Sequence, residues 1–323
     1  MVPRAAIVGL GIMGRRMLAN MAKTGDFLPS VAWDPSPEAC KAAQALVPAL
    51  AIADDAMAML ASDDVDLVYI ATPPDLHRDY ALAAARAKKP IYCEKPLGTD
   101  VEQSRRLVTE IEDLGASAIV NFTLASAPAA DAIAKALAIG AIGEVEAVDI
   151  HLHFCRWPRD WQAPARWLSE RAEGGFVRET FSHYAYLTRR LFGEIELKRA
   201  AVRYPADGIS AETQALALMD CGGIPVSFEG GTGGIGNSGA DRVEFTVWGS
   251  KRAYRLYDWN RLRSSDGSSW VEHLEDIADT REAGYKATLA NARRFFDGKP
   301  HTMPSFLDAL RVQELVEAVL ASG

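Results

Sequence analysis

A chain of 323 residues is long enough for two compact domains at roughly 150 residues each. Its 49% hydrophobic and 24% charged residues exclude a fibrous repeat or long disorder, and 35 Lys and Arg against 43 Asp and Glu, a net charge of -8, exclude a broad basic grip on nucleic acid. The longest uncharged run, residues 114–130, carries Gly115, Asn121 and Pro128 and is no membrane span, while Cys40, Cys93, Cys155 and Cys221 form no CxxC pair and read as reduced thiols of a cytoplasmic protein.

From Val2 to about Pro90, short apolar runs alternate with longer amphipathic ones, which predicts strand-helix-strand units and a doubly wound parallel sheet. Residues 5–8 read as the first strand, Gly9-Leu10-Gly11-Ile12-Met13-Gly14 as the turn after it, and a helix follows to about Lys23. A strand and a glycine motif precede Arg15-Arg16 and no apolar core follows, so that pair is not read as an export signal. Residues 31–33 read as the second strand, ending on Asp34, 20 residues after Gly14.

In that setting Gly9 and Gly11 let the backbone turn and approach a pyrophosphate, and Gly14 lets the helix pack on the strand. The helix start at Ile12 and Met13 then offers unsatisfied N–H groups to the phosphates. Asp34 is placed to accept hydrogen bonds from an adenosine ribose and to repel a 2′-phosphate. No Arg in Pro35-Ser36-Pro37 would neutralise such a phosphate, so NAD(H) is expected in preference to NADP(H).

Residues 66–71 read as a buried strand stopped by Thr72-Pro73-Pro74, with Asp75 expected to cap a helix running to about Lys88. The carboxyl end of a parallel strand is where such folds hold their ligand, so Thr72 and Pro73 are expected to line the cofactor; His77 reads as a packing or capping residue beside it. The next strand ends on Glu94-Lys95-Pro96, with Glu94 and Lys95, like His77, expected beside the cofactor. There the Lys95 cation can hold a substrate oxygen beside a nicotinamide.

The opening Gly-Leu-Gly-Ile-Met-Gly by itself resembles the β-hydroxyacid dehydrogenases, whose second half is nearly all helical. Here residues 145–154, 197–204, 213–219, 226–229, 243–248 and 253–257 read as successive strands, so the second domain is built on a sheet.

These motifs together, with Ile142-Gly143-Glu144-Val145 and Glu173-Gly174-Gly175 opening a helix, resemble the glucose-fructose oxidoreductase, inositol dehydrogenase and MocA family over nearly the whole length. The resemblance implies a Rossmann domain over 1–122 and a substrate-binding and oligomerisation α/β domain over 123–323, with an open, mostly antiparallel sheet that builds homodimers or homotetramers. It implies a cis bond before Pro96, no metal, and a catalytic Asp followed four residues later by a His. The matching positions are Glu179, a longer carboxylate than the family's Asp, and His183; Tyr186 stands where the family often has a second Asp. Residues four apart on a helix share a face, and an imidazole titrates near neutrality. The implied roles are His183 as general acid/base, Lys95 as polariser and proton relay, and Glu179 as orienting group.

Arg156-Trp157-Pro158-Arg159-Asp160-Trp161-Gln162-Ala163-Pro164-Ala165-Arg166-Trp167 places three tryptophans and three arginines in 12 residues. Arg156, Trp157, Trp161, Arg166 and Trp167 suit stacking on sugar carbons and binding of hydroxyls or a carboxylate; filling a domain boundary is an equal reading. Asn121, Arg178, Tyr184 and Tyr186 are further substrate-binding candidates. His151, His153 and Cys155 share a strand face, which suits a packed or interface face better than a metal site lacking a fourth ligand. Residues 230–236, glycine-rich among antiparallel strands, read as a strand edge or loop. Helices are expected over about 282–296 and 305–320, the last with a core stripe at Ala309, Val312, Leu315, Val316, Val319 and Leu320.

The expected activity is NAD-dependent hydride transfer at a hydroxyl or carbonyl carbon of a sugar, cyclitol or related small polar molecule. The alternatives are an NAD-dependent glycosidase working by transient oxidation, and a non-catalytic NAD-binding sensor.

Overall fold

The computed structural model describes residues 1–234 and 241–323, so Ile235 and Gly236 of the glycine-rich stretch lie outside the described residues. The chain divides into two compact units, Met1–Phe122 with Tyr285–Arg311, and Thr123–Gly284 with Val312–Gly323.

The first unit alternates β1 (Arg4–Val8), α1 (Ile12–Thr24), β2 (Leu28–Trp33), α2 (Pro37–Leu46), β3 (Ala51–Ile52), α3 (Ala56–Ala61), β4 (Leu67–Ile70), α4 (His77–Arg86), β5 (Ile91–Glu94), α5 (Val101–Asp113) and β6 (Ala118–Asn121). The strands form a parallel sheet in the order β3-β2-β1-β4-β5-β6. The order reverses between β1 and β4, which makes the carboxyl ends of those strands the natural ligand end. Local chemistry sets the helix starts: Ser36 accepts from Ala39 N at 3.2 Å with Pro37 opening α2, and Asp100 accepts from Gln103 N at 2.8 Å to open α5.

Asp75 does not cap α4. Pro74–Leu76 winds as a separate 3-10 turn and Leu76 takes the position before the helix, because the two prolines set the turn one step earlier than a single capped start.

In the second unit α6 (Pro128–Ala138) precedes β7 (Val145–Phe154), and α7 (Ser182–Phe192) precedes β8 (Glu196–Arg203), β9 (Gln214–Cys221), β10 (Ile224–Thr232), β11 (Arg242–Gly249), β12 (Ala253–Tyr257), β13 (Arg261–Ser265) and β14 (Val271–His273). The eight strands lie in the order β14-β13-β12-β11-β7-β10-β9-β8, antiparallel except for β7 beside β10. Along β7, Val148, Ile150, Leu152 and Phe154 are buried while their alternates turn to the other face. The inner face receives α7 and the turn before it: the Phe181 ring of that turn stacks on Phe228 at 4.0 Å, and Tyr184 of α7 lies over Phe245 at 6.2 Å. Burying one such ring contributes about 2–3 kcal/mol. Gly230 lies under this packing, since a Cβ there would come within 2.4 Å of the Phe176 ring.

The last two helices are α8 (Thr280–Phe296) and α9 (Phe306–Leu320). Residues 285–311 cluster with the first unit, which differs from a simple division at residue 122. The reason is apolar: Leu289, Ala292 and Met303 join the core of Ile7, Leu18 and Tyr69, and Phe296 meets Phe27 edge-on at 6.4 Å. Val120 N also donates to Pro304 O at 2.9 Å, covering the open side of β6. No helix among the described residues is long and apolar enough to cross a membrane.

Candidate functional site

In the first unit the glycine turn is crowded at two of its three glycines. Gly9 has φ +92°, and a Cβ on it would sit 2.6 Å from Ala71 O; a Cβ on Gly14 would sit 1.9 Å from Gly9 O. Gly11 meets nothing within 4 Å and leaves its backbone open to approach. The α1 start has no side-chain cap and no acidic residue in its first turn, so the N–H groups at Ile12, Met13 and Gly14 face outward with a partial positive charge.

Asp34, just past β2, hooks onto this loop. Its Oδ2 accepts from Leu10 N at 2.6 Å and its Oδ1 from Ser36 N at 2.8 Å. Arg15 donates to Leu10 O from the other side. Thr72, at the end of β4, has its hydroxyl oxygen buried with no hydrogen-bond partner in the structure, a polar atom that a bound polar group would satisfy. An uncapped helix start, a fixed carboxylate and an orphaned hydroxyl fit a dinucleotide such as NAD.

His77 is 1% exposed, with Nδ1 2.9 Å from Pro96 O and Nε2 3.0 Å from Thr72 O. Burial holds its imidazole below the ordinary range despite those carbonyls. The neutral ring can donate to only one of them, yet it ties the turn at Thr72 and Pro73 to the turn at Pro96.

Glu94 ends β5 inside the core. Its Oε1 accepts from the Tyr69 hydroxyl and from Asn121 Nδ2 at 2.7 Å, and Tyr92 donates to Asn121 Oδ1 at 2.7 Å. Burial lifts both tyrosines well above the usual phenol range, which keeps them as donors. Asn121 is therefore built into a core network with Glu94. This network anchors the strand end from which half-buried Lys95 emerges, and the Lys95–Pro96 bond is cis.

In the second unit the glycine pair before the helix is equally constrained. A Cβ on Gly174 would lie 2.3 Å from Trp167 O, and Gly175, at φ +96°, rests against the Glu212 carboxylate at what would be 2.1 Å. Glu212 is 2% exposed, its Oε1 accepts from Val177 N at 2.8 Å, and burial pushes its carboxyl up to about 7.

Val177–Phe181, which includes Glu179, is a π-helical turn instead of the expected α-helix: Ser182 N reaches back to Val177 O, and α7 with His183 begins only at Ser182. The tight backbone at Gly174 and Gly175 precedes this wider turn, and nothing in the residue pattern announces it. Glu179 Oε1 accepts from Gln162 Nε2 at 3.1 Å.

Several substrate candidates have defined surroundings. Arg178 gives Nε and Nη2 to Glu317 at 2.6 and 2.7 Å, and Nη1 to the carbonyls of Arg171 and Gly174. Tyr184 and Tyr186 are buried on α7, and desolvation holds the Tyr184 phenol well above its usual range. Arg156 pairs with Asp160 at 2.8 Å on the surface, and Trp157 donates to Leu168 O at 2.9 Å. Arg166 and Trp161 are exposed and Trp167 is half-buried. His151 and His153 turn to the outer sheet face, His151 Nδ1 lying 3.4 Å from Glu229.

Gln162, Glu212 and Arg159 were not among the sequence candidates. Paired glycines signal crowding at residues 174 and 175, but not that a carboxylate 37 positions later supplies it.

The family model described as oxidoreductase family, NAD-binding Rossmann fold, matches residues 3–122, and the GFO/IDH/MocA C-terminal domain matches residues 131–255. Among curated relatives, inositol 2-dehydrogenase of Rhizobium meliloti (strain 1021) is 38% identical over 42% of this chain and 39% of its own length. The 1,5-anhydro-D-fructose reductase of Ensifer adhaerens is 33% identical over 46% and 44%. These matches thus span under half of the relatives they align with. Among solved structures, levoglucosan dehydrogenase in complex with NADH and levoglucosan has a TM-score of 0.85 at 21% identity, covering 100% of this chain and 97% of that one, a likeness of fold.

Proposed function

The chain belongs to the Gfo/Idh/MocA family of oxidoreductases, and from that premise we propose that it transfers hydride between NAD(H) and a hydroxyl-bearing carbon of a sugar, cyclitol or related small polar molecule. The observation that carries this reading is Lys95 at the carboxyl end of β5, in a sheet whose neighbouring turns at Gly9–Gly14, Asp34 and Thr72 fit a dinucleotide. The cofactor, when bound, supplies the hydride acceptor or donor.

The chain's own residues handle the oxygen and its proton. In the oxidising direction Lys95 Nζ polarises the substrate oxygen, His183 takes the hydroxyl proton, and Glu179 orients them, while the carbon gives up hydride and becomes a carbonyl. The uncapped α1 start would hold the pyrophosphate and Asp34 the adenosine ribose, which supports NAD(H) over NADP(H). The four cysteines are present as thiols, which supports a cytoplasmic setting.

One screen tests both the reaction and the cofactor: sugars, polyols and their acids supplied with NAD or NADP, reduced cofactor being followed spectroscopically. The expected result is reduction of NAD by at least one polyol or sugar, with kcat/KM at least about tenfold above that for NADP, the scale of one well-placed charge. Sugar release from an aryl glycoside without net NADH would point to a glycosidase. Cofactor binding without turnover across the panel would point to a sensor.

Copies of the chain are proposed to pair through the outer face of the second unit's sheet. Leu216 and Leu218 are more than half exposed there, and Trp248 and Trp270 meet at 6.5 Å beneath the Arg255 guanidinium. A face of this composition is covered at low cost by a second copy. Light scattering should find a dimer or tetramer for the parent protein and monomer for Leu218→Arg. A monomeric parent would refute the pairing.

A further inference from the structure

The segment of tryptophans and arginines before the π-turn has a structural core of its own. The Arg159 guanidinium carbon lies 4.7 Å from the Trp259 ring centre, 4.9 Å from Trp161, 5.5 Å from Phe154 and 5.7 Å from Trp157. A cation facing several aromatic rings is held in direction as well as place. Trp259 reaches it from the turn between β12 and β13, where Asp258 and Trp259 have φ +46° and +71°. An aromatic residue rarely adopts that left-handed conformation, so the turn keeps the ring where it is at a conformational cost.

Arg159 in turn fixes Gln162, which is 1% exposed. Gln162 Oε1 accepts from Arg159 N at 3.2 Å and from Arg159 Nε at 3.0 Å. With the amide oxygen taken by two N–H donors, the NH2 end is the one that faces Glu179, and it donates to Oε1 at 3.1 Å. Glu179 lies on the π-turn, one methylene longer than an Asp and with one more torsion to be fixed.

We propose that Gln162 is a positioning residue for Glu179: its amide, oriented by the ring-clamped Arg159, holds the long carboxylate in the one direction from which it orients the reacting groups. This deepens the proposed function and rests on the role given there to Glu179. Within it, the Arg-Trp segment acts through Glu179, and part of what reads as substrate-facing aromatic surface is the clamp that aims a carboxylate.

The test is Gln162→Leu, which keeps the volume and removes both hydrogen-bonding ends. Gln162→Asn serves as a second variant that keeps a buried amide but cannot span the distance. Each is examined by crystal structure and, on the substrate found in the polyol screen, by steady-state kinetics.

The expected structure shows the Glu179 carboxylate displaced or in more than one rotamer, with α7 in place. The expected kinetics show kcat lowered about 10- to 100-fold, the scale of a catalytic group misplaced by about 1 Å, while the substrate KM moves less than about threefold. In a Glu179→Ala background, the Gln162→Leu loss should vanish, because the residue it acts through is gone.

A Glu179 carboxylate that stays in place in both variants, or a loss that persists undiminished without Glu179, would overturn the inference. A displaced Glu179 with kcat unchanged would instead show that the role assigned to Glu179 is wrong, leaving the positioning itself standing.

Discussion

Lys95→Met is expected to lower kcat by about 10²–10³, the loss typical of removing one preorganised charge or donor from a developing oxyanion, while NADH binds within about twofold of the parent. Methionine keeps most of the side chain's length and apolar stem, so the loss reads out the cation. The cofactor's contacts are assigned elsewhere, to the open α1 start, to Asp34 on Leu10 N and Ser36 N, and to the orphaned Thr72 hydroxyl. The buried Glu94, Tyr69 and Asn121 network that fixes the strand end is untouched by the change. Turnover comes from steady-state kinetics and cofactor affinity from NADH fluorescence titration. Retention of more than about a tenth of the parent kcat would remove Lys95 from the mechanism.

Glu212→Gln is expected to stabilise the protein at pH 8 and leave it unchanged at pH 4. Burial raises the carboxyl of Glu212 from an ordinary 4.5 to about 7, against the opposing pull of the Val177 N–H and Arg178. Between those two pH values the folded chain holds the proton more tightly than the unfolded chain, so stability falls as pH rises through this window and the full penalty is present above about 7. A difference of that size corresponds to about 3 kcal/mol.

Glutamine reproduces the protonated acid, with one oxygen to accept from Val177 N and one donor end, and it cannot ionise. Thermal melts of parent and variant at pH 4, 5, 6.5 and 8 should therefore coincide at the acid end and separate progressively, the variant melting higher. Parallel curves at all four pH values would mean that Glu212 does not titrate on unfolding. Glu212 abuts Gly175 and holds the first N–H of the turn carrying Glu179.

Much of the first unit is legible from residue order. Alternating apolar runs mark β1, β4 and β5, and Gly9, Gly14 and Asp34 carry the ligand end, because a parallel sheet buried on both faces leaves few choices for its strands. The 145–154 and 253–257 strands are found at those residues, the first with strong period-two burial and the second by its run of aromatic and apolar residues. Less legible are β13 and β14, short strands with a single apolar residue each, and the return of residues 285–311 to the first core, where Leu289 and Phe296 could serve either unit.

The candidate chemistry divides in the same way. Glu94 and Lys95 are visible in sequence because they end a strand before a proline, whereas Glu179 and His183 are visible only through the family resemblance, which places an acid and a His four residues apart on the helix after the glycines. What those residues touch is not visible, because it depends on segments far apart along the chain. Asn121 meets Glu94 only when β5 and β6 pair, and Gln162 meets Glu179 across the Arg159 clamp.

Sequence by itself determined β1, β2, β4 and β5 with the glycine turn, which rest on backbone sterics and burial within short windows, and the family, which rests on the resemblance of its motifs. Only the tertiary structure decided the π-turn under Glu179, the carboxylate beneath Gly175 and the donor that holds Glu179. The last two are contacts between segments separated along the chain, and their energy comes from excluding water around a polar group that local propensity does not register.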